Sequence, residues 1–118
     1  MDETFERRLE TSADDLGLSV DEMLRLLGSE HVRVVVAHLF ERPEVTLEEL
    51  AEVAVAATAA EEGRIATDRE YERVRITLFH STLPRLEDHG LLTFDTEGRV
   101  VENAEIPRSL YTFVRTTA

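Results

Sequence analysis

Four imidazoles are the first candidates for chemistry in this chain: His31, His38, His80 and His89. His31 and His38 stand seven apart and can share a helical face, but no nearby carboxylate or third ligand completes a metal set. His80 and His89 are nine apart and point to nearly opposite sides of a helix. The chain has no cysteine, which removes disulfides, thiolate zinc sites and thiol nucleophiles together. It has no glycine-rich phosphate loop, and its 25 acidic residues are too numerous for any pair to stand out as an acid/base couple. We therefore expect no catalytic residues, no metal and no cofactor. The chain reads as something other than an enzyme.

A different chemistry is carried by residues 68–89, which read as one helix. On a helical wheel, Phe79, Leu83 and Leu86 cluster on one face with Leu78 and Tyr71 beside them, as a core side would. Arg73, Thr77, His80, Ser81, Pro84 and Arg85 spread over the opposite arc. A helix presenting arginine, hydroxyls and an imidazole can enter a major groove and set arginine against guanine edges. The plainer alternative is a solvated face on an ordinary helix. Residues 64–86 hold five arginines against Asp68, Glu70 and Glu72, a local charge of +2 in a chain of −12. Charge is thus segregated in the sense a nucleic-acid footprint requires. Pro84 should kink the helix, because it leaves the His80 carbonyl without an N–H partner. The kink either directs His80 and Ser81 outward or fits Leu86 against the strand-like residues beyond Gly90.

The elements that would position this helix have clear local signals. Ser19-Val20-Asp21-Glu22, Thr46-Leu47-Glu48-Glu49 and Thr67-Asp68-Arg69-Glu70 each match a capping box, and Ser29 is a fourth cap. These predict helices from Val20 to about Leu27, from Glu30 to before Pro43, from Leu47 to about Glu62, and from Asp68 to His89. Val32, Val35, Val36 and Leu39 form an apolar stripe of helical period in the second of them. After Gly90 the period changes. LLTFD and RVVE flank Thr96-Glu97-Gly98, a short β-hairpin with Gly98 available for a positive-φ position. Asp95 and Glu97 make the hairpin tip acidic, with Arg99 alone to oppose them. Pro107 then opens a short amphipathic tail helix carrying Leu110, Tyr111, Phe113 and Val114. Residues 1–17, with only Phe5, Leu9 and Leu16 as scattered large apolar groups, are expected to be loose.

At 118 residues, 42% of them hydrophobic, the chain is one globular domain. No apolar run approaches the roughly 20 residues needed to cross a bilayer, so a soluble cytoplasmic protein with no membrane partner is expected. All 13 basic residues are arginine. This acid-rich, lysine-free composition resembles that of salt-in halophilic archaea, where carboxylates keep a surface hydrated and molar salt screens their repulsion within roughly 3 Å. An acidic protein from a mesophile of high GC content is the alternative.

The run Phe79-His80-Ser81-Thr82-Leu83-Pro84-Arg85-Leu86, then Glu87-Asp88-His89, then Gly90-Leu91 resembles the end of the reading helix in many winged-helix regulators. VTLEELAEVAVAA (45–57) looks like their positioning helix, and LGSEHVRVVVAHLFER (27–42) like their first core helix. More narrowly, the stretch from Leu18 to Val101 resembles a poorly characterised winged-helix domain family of haloarchaea. Its reading segment contains His-Leu-Pro-x-Leu after a lead-in like YERV, here residues 71–74. The chain departs from that pattern at His31-Val32-Arg33, where adjacent arginines are frequent, and at Thr82, where histidine is. The resemblance implies a mainly α fold with a small β-hairpin (α+β): a winged helix-turn-helix over 18–103 with additional N- and C-terminal helices. It implies a transcriptional regulator binding double-stranded DNA through Arg73, Thr77, His80, Ser81 and Arg85, with Arg99 from the wing. A homodimer held by Leu110, Tyr111, Phe113 and Val114 of the tail, 104–118, is expected. The alternative is a winged-helix module that docks a protein partner without touching DNA.

Overall fold

The structure, a computed structural model, describes residues 3–117. Its elements are α1 (Glu3–Leu16), α2 (Val20–Leu27), α3 (Glu30–Glu41), β1 (Glu44–Thr46), α4 (Leu47–Glu61), α5 (Asp68–Thr77), a π-helical turn (Leu78–Thr82), α6 (Leu83–Asp88), β2 (Leu92–Asp95), β3 (Val100–Asn103) and α7 (Arg108–Thr117). The fold is mainly helical with one small antiparallel sheet. No helix among the described residues is long and apolar enough to cross a membrane.

Helices start where their caps predict. Ser29, Thr46 and Thr67 each accept an early backbone N–H through the side-chain oxygen. Ser19 closes a full reciprocal box with Glu22, at 3.1 and 3.2 Å. The other two boxes do not close. Glu49 turns away to His38 and Arg42, and Glu70 to Arg64 and the Thr67 hydroxyl. A charged or longer-range partner outcompetes the local backbone N–H at those sites.

Residues 3–16 are helical, which corrects the expectation of a loose N-terminal segment. The apolar stripe is complete once small residues are counted: Phe5, Leu9, Ser12, Ala13 and Leu16 recur at helical spacing. Leu9, Ser12 and Ala13 are buried, and Phe5 meets Phe113 of α7 at 5.2 Å between ring centroids. Gly17, at φ +68°, ends α1 with Leu18 N–H bonded to the Ala13 carbonyl and its own N–H to Asp14, a Schellman stop. The Ser12 hydroxyl is fully buried and has no hydrogen-bond partner among the described residues. Ser12→Ala is therefore expected to stabilise the chain by about 1 kcal/mol, read as a higher urea midpoint at unchanged slope. A lower midpoint would show that the hydroxyl is bonded.

The sheet has three strands, in the order β1-β3-β2, where the sequence indicated only the hairpin. Val45 and Phe94 both pair with Val101, and these three side chains, with Leu92, lie on the buried face. On the other face, Glu44 stands opposite Glu102 and Thr93 beside it. The hairpin tip also differs from expectation. The positive φ (+56°) is at Arg99, while Gly98 lies where a Cβ would sit 2.7 Å from the Asp95 carboxylate. That carboxylate accepts the N–H groups of Glu97 and Gly98, so Gly98 serves close approach rather than chirality.

The tail helix α7 packs on α1 and α3 of its own chain. Leu110, Phe113 and Val114 are buried in the core. Tyr111 stacks on Phe40 at 4.3 Å and donates its hydroxyl to Glu41, which raises the phenol's pKa. Within the protomer, the apolar face of α7 is thus largely covered by α1 and α3. A separate groove of about 690 Å³ lies between α2, α3, α4 and α7, with Leu24, Val34, Ala37 and Ala57 in its walls.

Candidate nucleic-acid interface

The segment 68–88 had to satisfy two apolar stripes that are out of phase. Tyr71, Val74 and Leu78 lie together on a helical wheel, but Leu83 and Leu86 fall about 80–140° away from Leu78 in a regular helix of about 100° per residue. The π turn resolves the conflict by inserting one residue, with Leu83 N–H bonded to the Leu78 carbonyl five positions back. Leu78, Leu83 and Leu86 are then all fully buried, and Tyr71 and Val74 pack against them. The widened turn also makes room for Pro84, which sits in the first turn of α6, where a missing N–H is tolerated. The structure thus places a π turn where a kink was expected.

At the far end, Gly90 (φ +76°) stops α6, with Leu91 N–H bonded to the Leu86 carbonyl. The Glu87 carboxylate takes the Phe94 N–H at 2.9 Å, tying α6 to β2, and Phe79 meets the Phe94 ring edge-on at 5.5 Å. The helix and the hairpin are thereby held in one fixed relation. Behind them, α4 packs on α5, and Ala51, Ala54, Val55 and Ala59 of α4 are buried.

The structure divides the predicted site residues. Arg73, His80, Ser81 and Arg85 are exposed along α5, the π turn and α6. Thr77 is half-buried, and its hydroxyl donates to the Arg73 carbonyl one turn back. Arg99 does not join them. It stands at the hairpin tip with Nη1 3.8 Å from Glu48 Oε2 at the start of α4, an oxygen that has no hydrogen bond among the described residues. The resemblance sets Arg99 among the DNA-binding residues, and one-dimensional spacing does not show that α4 begins beside the tip.

The local charge is also redistributed. Arg64 is held by Glu62 and Glu70, both at 2.6 Å, and Arg75 by Glu72 at 2.9 Å. These contacts keep the Glu70 and Glu72 carboxyls below their ordinary pKa. Of the five arginines in residues 64–86, Arg69, Arg73 and Arg85 make no ion pair among the described residues and are the ones available to a ligand. Arg69 and Ile76 are absent from the set expected from sequence. Ile76 is 50% exposed between Arg73 and His80, and the four side chains Arg69, Arg73, Ile76 and His80 recur at spacings of four, three and four. An isoleucine on the polar arc was the available signal.

Of the histidines, His38 does have a carboxylate, from another helix. Its Nε2 lies 2.7 Å from Glu49 Oε2, and that hydrogen bond lowers the Glu49 pKa. Among the described residues no three metal-ligating side chains come together.

No curated protein and no solved structure matches this chain. A family model does, over residues 24–102, from α2 through β3: the chain belongs to the family described as a domain of unknown function, DUF7344.

Proposed function

We propose that this domain is a winged helix-turn-helix, and that it acts as a cytoplasmic DNA-binding regulator of haloarchaeal type rather than as an enzyme. The order α3-β1-α4-α5/α6-β2-β3, with β3 central in the sheet, supports the winged-helix reading. In this reading α4 positions, α5 through α6 reads, and the β2-β3 hairpin is the wing. The observation that carries the function is the exposed row Arg69, Arg73, Ile76 and His80, continued by Ser81 and Arg85, in which no arginine is neutralised by an ion pair among the described residues. Arginine suits guanine edges, and isoleucine suits a thymine methyl. Direct base contact matters more here than phosphate grip. Counterion release weakens with salt by about 0.9 log units per log unit for each phosphate contact, and the wing is acidic.

The test is binding to genomic fragments in about 1–3 M potassium chloride, the regime set by screening. Arg73→Ala and Arg85→Ala should each weaken binding to preferred fragments by about 5- to 100-fold, the worth of a base contact. Arg99→Ala should stay within about twofold, as a residue without a phosphate contact would. Equal, weak binding by wild type and all variants removes the direct-reading claim.

One observation favours the second reading, an adaptor that docks a basic protein partner. Glu44 and Glu102 stand directly opposite on the outer sheet face, with Asp95 and Glu97 close in sequence at the hairpin. Like charges placed so are destabilising unless something answers them. That reading predicts no fragment selectivity at any salt concentration.

A further inference from the structure

Between α3, α4 and α5 lies a cleft of about 240 Å³ that shares Arg73 with the DNA-reading row. Its floor is apolar: Val55 is buried and Val74 half-buried. Its polar groups are mostly spent. Glu70 is held by Arg64 and the Thr67 hydroxyl. Thr58 donates to Glu30 and to the Ala54 carbonyl, and Thr77 donates to the Arg73 carbonyl. The cleft is also lined by the Arg73 guanidinium, which has no ion pair among the described residues, and by the half-buried imidazole of His31, while the charge of the one lining carboxylate, Glu70, is answered by Arg64 at its Oε1. A guanidinium fork matches a carboxylate bidentately, and the valines disfavour a small, strongly hydrated inorganic anion.

We propose that this cleft binds a small organic carboxylate, its acid group on Arg73 and His31 and its compact apolar body on Val55 and Val74. The site stands independently of DNA binding. Its consequence for regulation rests on the DNA reading: a ligand that occupies Arg73 withdraws it from the groove, so ligand and DNA oppose one another reciprocally.

The experiment is a titration of the full chain, with labelled valine methyls, against benzoate and its neutral isostere benzamide, in salt at which circular dichroism reports the folded state. Saturable shifts at Val55 and Val74 are expected with benzoate, and at least roughly tenfold weaker binding with benzamide or in Arg73→Gln, as loss of a charge-assisted pair implies. Arg115→Gln, in the larger groove, should bind as wild type does. No saturable shift, an equal response to benzamide, or shifts seated at Val34 and Val114 would overturn the site. Saturating benzoate should weaken binding to selected fragments by on the order of 5- to 10-fold, a typical coupling. Methyl shifts with unchanged DNA affinity would leave the site and overturn its coupling. Methyl shifts in a chain that selects no fragment would leave the site and remove the DNA reading instead.

Discussion

Replacing Leu110 by alanine is expected to lower the unfolding free energy by about 3 kcal/mol, the central cost of emptying a buried leucine site. Leu110 is fully buried, in a cluster with Phe113, Val114 and Ile106 from its own end of the chain. Its helix packs against α1 and α3, so the cavity opens between three helices that are already held on their other faces. They cannot collapse onto it freely, and the cavity term remains. Because the contacts are within one protomer, the loss should be the same at every protein concentration. A dimer contact would behave differently: stability would rise with concentration, and the variant would lose that dependence. Denaturant unfolding at two concentrations a hundredfold apart separates the cases. A concentration-dependent midpoint in the wild type that vanishes in Leu110→Ala would return α7 to the interface.

Deleting Ser81 should cost a similar amount, about 3 kcal/mol, but for a backbone reason. The deletion takes out the extra residue and makes the widened turn regular. Leu83 and Leu86 would keep their alignment with Leu78, now at spacings of four and seven, so the core stripe survives. The proline, however, would fall inside a continuous α-helix, where its ring meets the carbonyl four residues back. Adding Pro84→Ala to the deletion should recover most of the loss. Pro84→Ala alone, in the intact chain, should change stability by less than about 1 kcal/mol, because the proline occupies a first-turn position after the widened turn. Thermal unfolding of the three variants decides it. A neutral deletion would mean the π turn accommodates nothing, and a deletion that alanine fails to rescue would place the cost in packing rather than in the proline.

These two variants touch the places where sequence and structure part. In residues 71–86 an apolar face was visible, and so was the proline. A wheel of fixed pitch, however, assigned Phe79, Leu83 and Leu86 to the core side and left Leu78 at its edge. The structure buries Leu78 fully and leaves Phe79 half-buried, because one inserted residue changes the phase. The face opposite the core was readable as Arg73, His80, Ser81 and Arg85. Arg69 and Ile76 became evident only when exposure was known, and the contact of Arg99 with Glu48 only when α4 was seen beside the tip.

What the chain states locally, it states well. Ser19, Ser29, Thr46 and Thr67 start helices, and Gly28 and Gly90 stop them, because a cap is a contact among residues three to five apart and needs no fold to form. The change of period after Gly90 likewise announced the hairpin. Long-range choices could not be read this way. Glu49 abandons its box for His38, 11 residues away, and Tyr111 reaches Glu41 across 70. Three-residue β1 has too little periodicity to register alone and exists because β3 offers it an edge. The same holds for α1 and α7, whose apolar stripes say that something must cover them but not what. Local hydrogen bonds decided where elements begin and end, and burial between distant segments decided which faces, arginines and tail residues remain available.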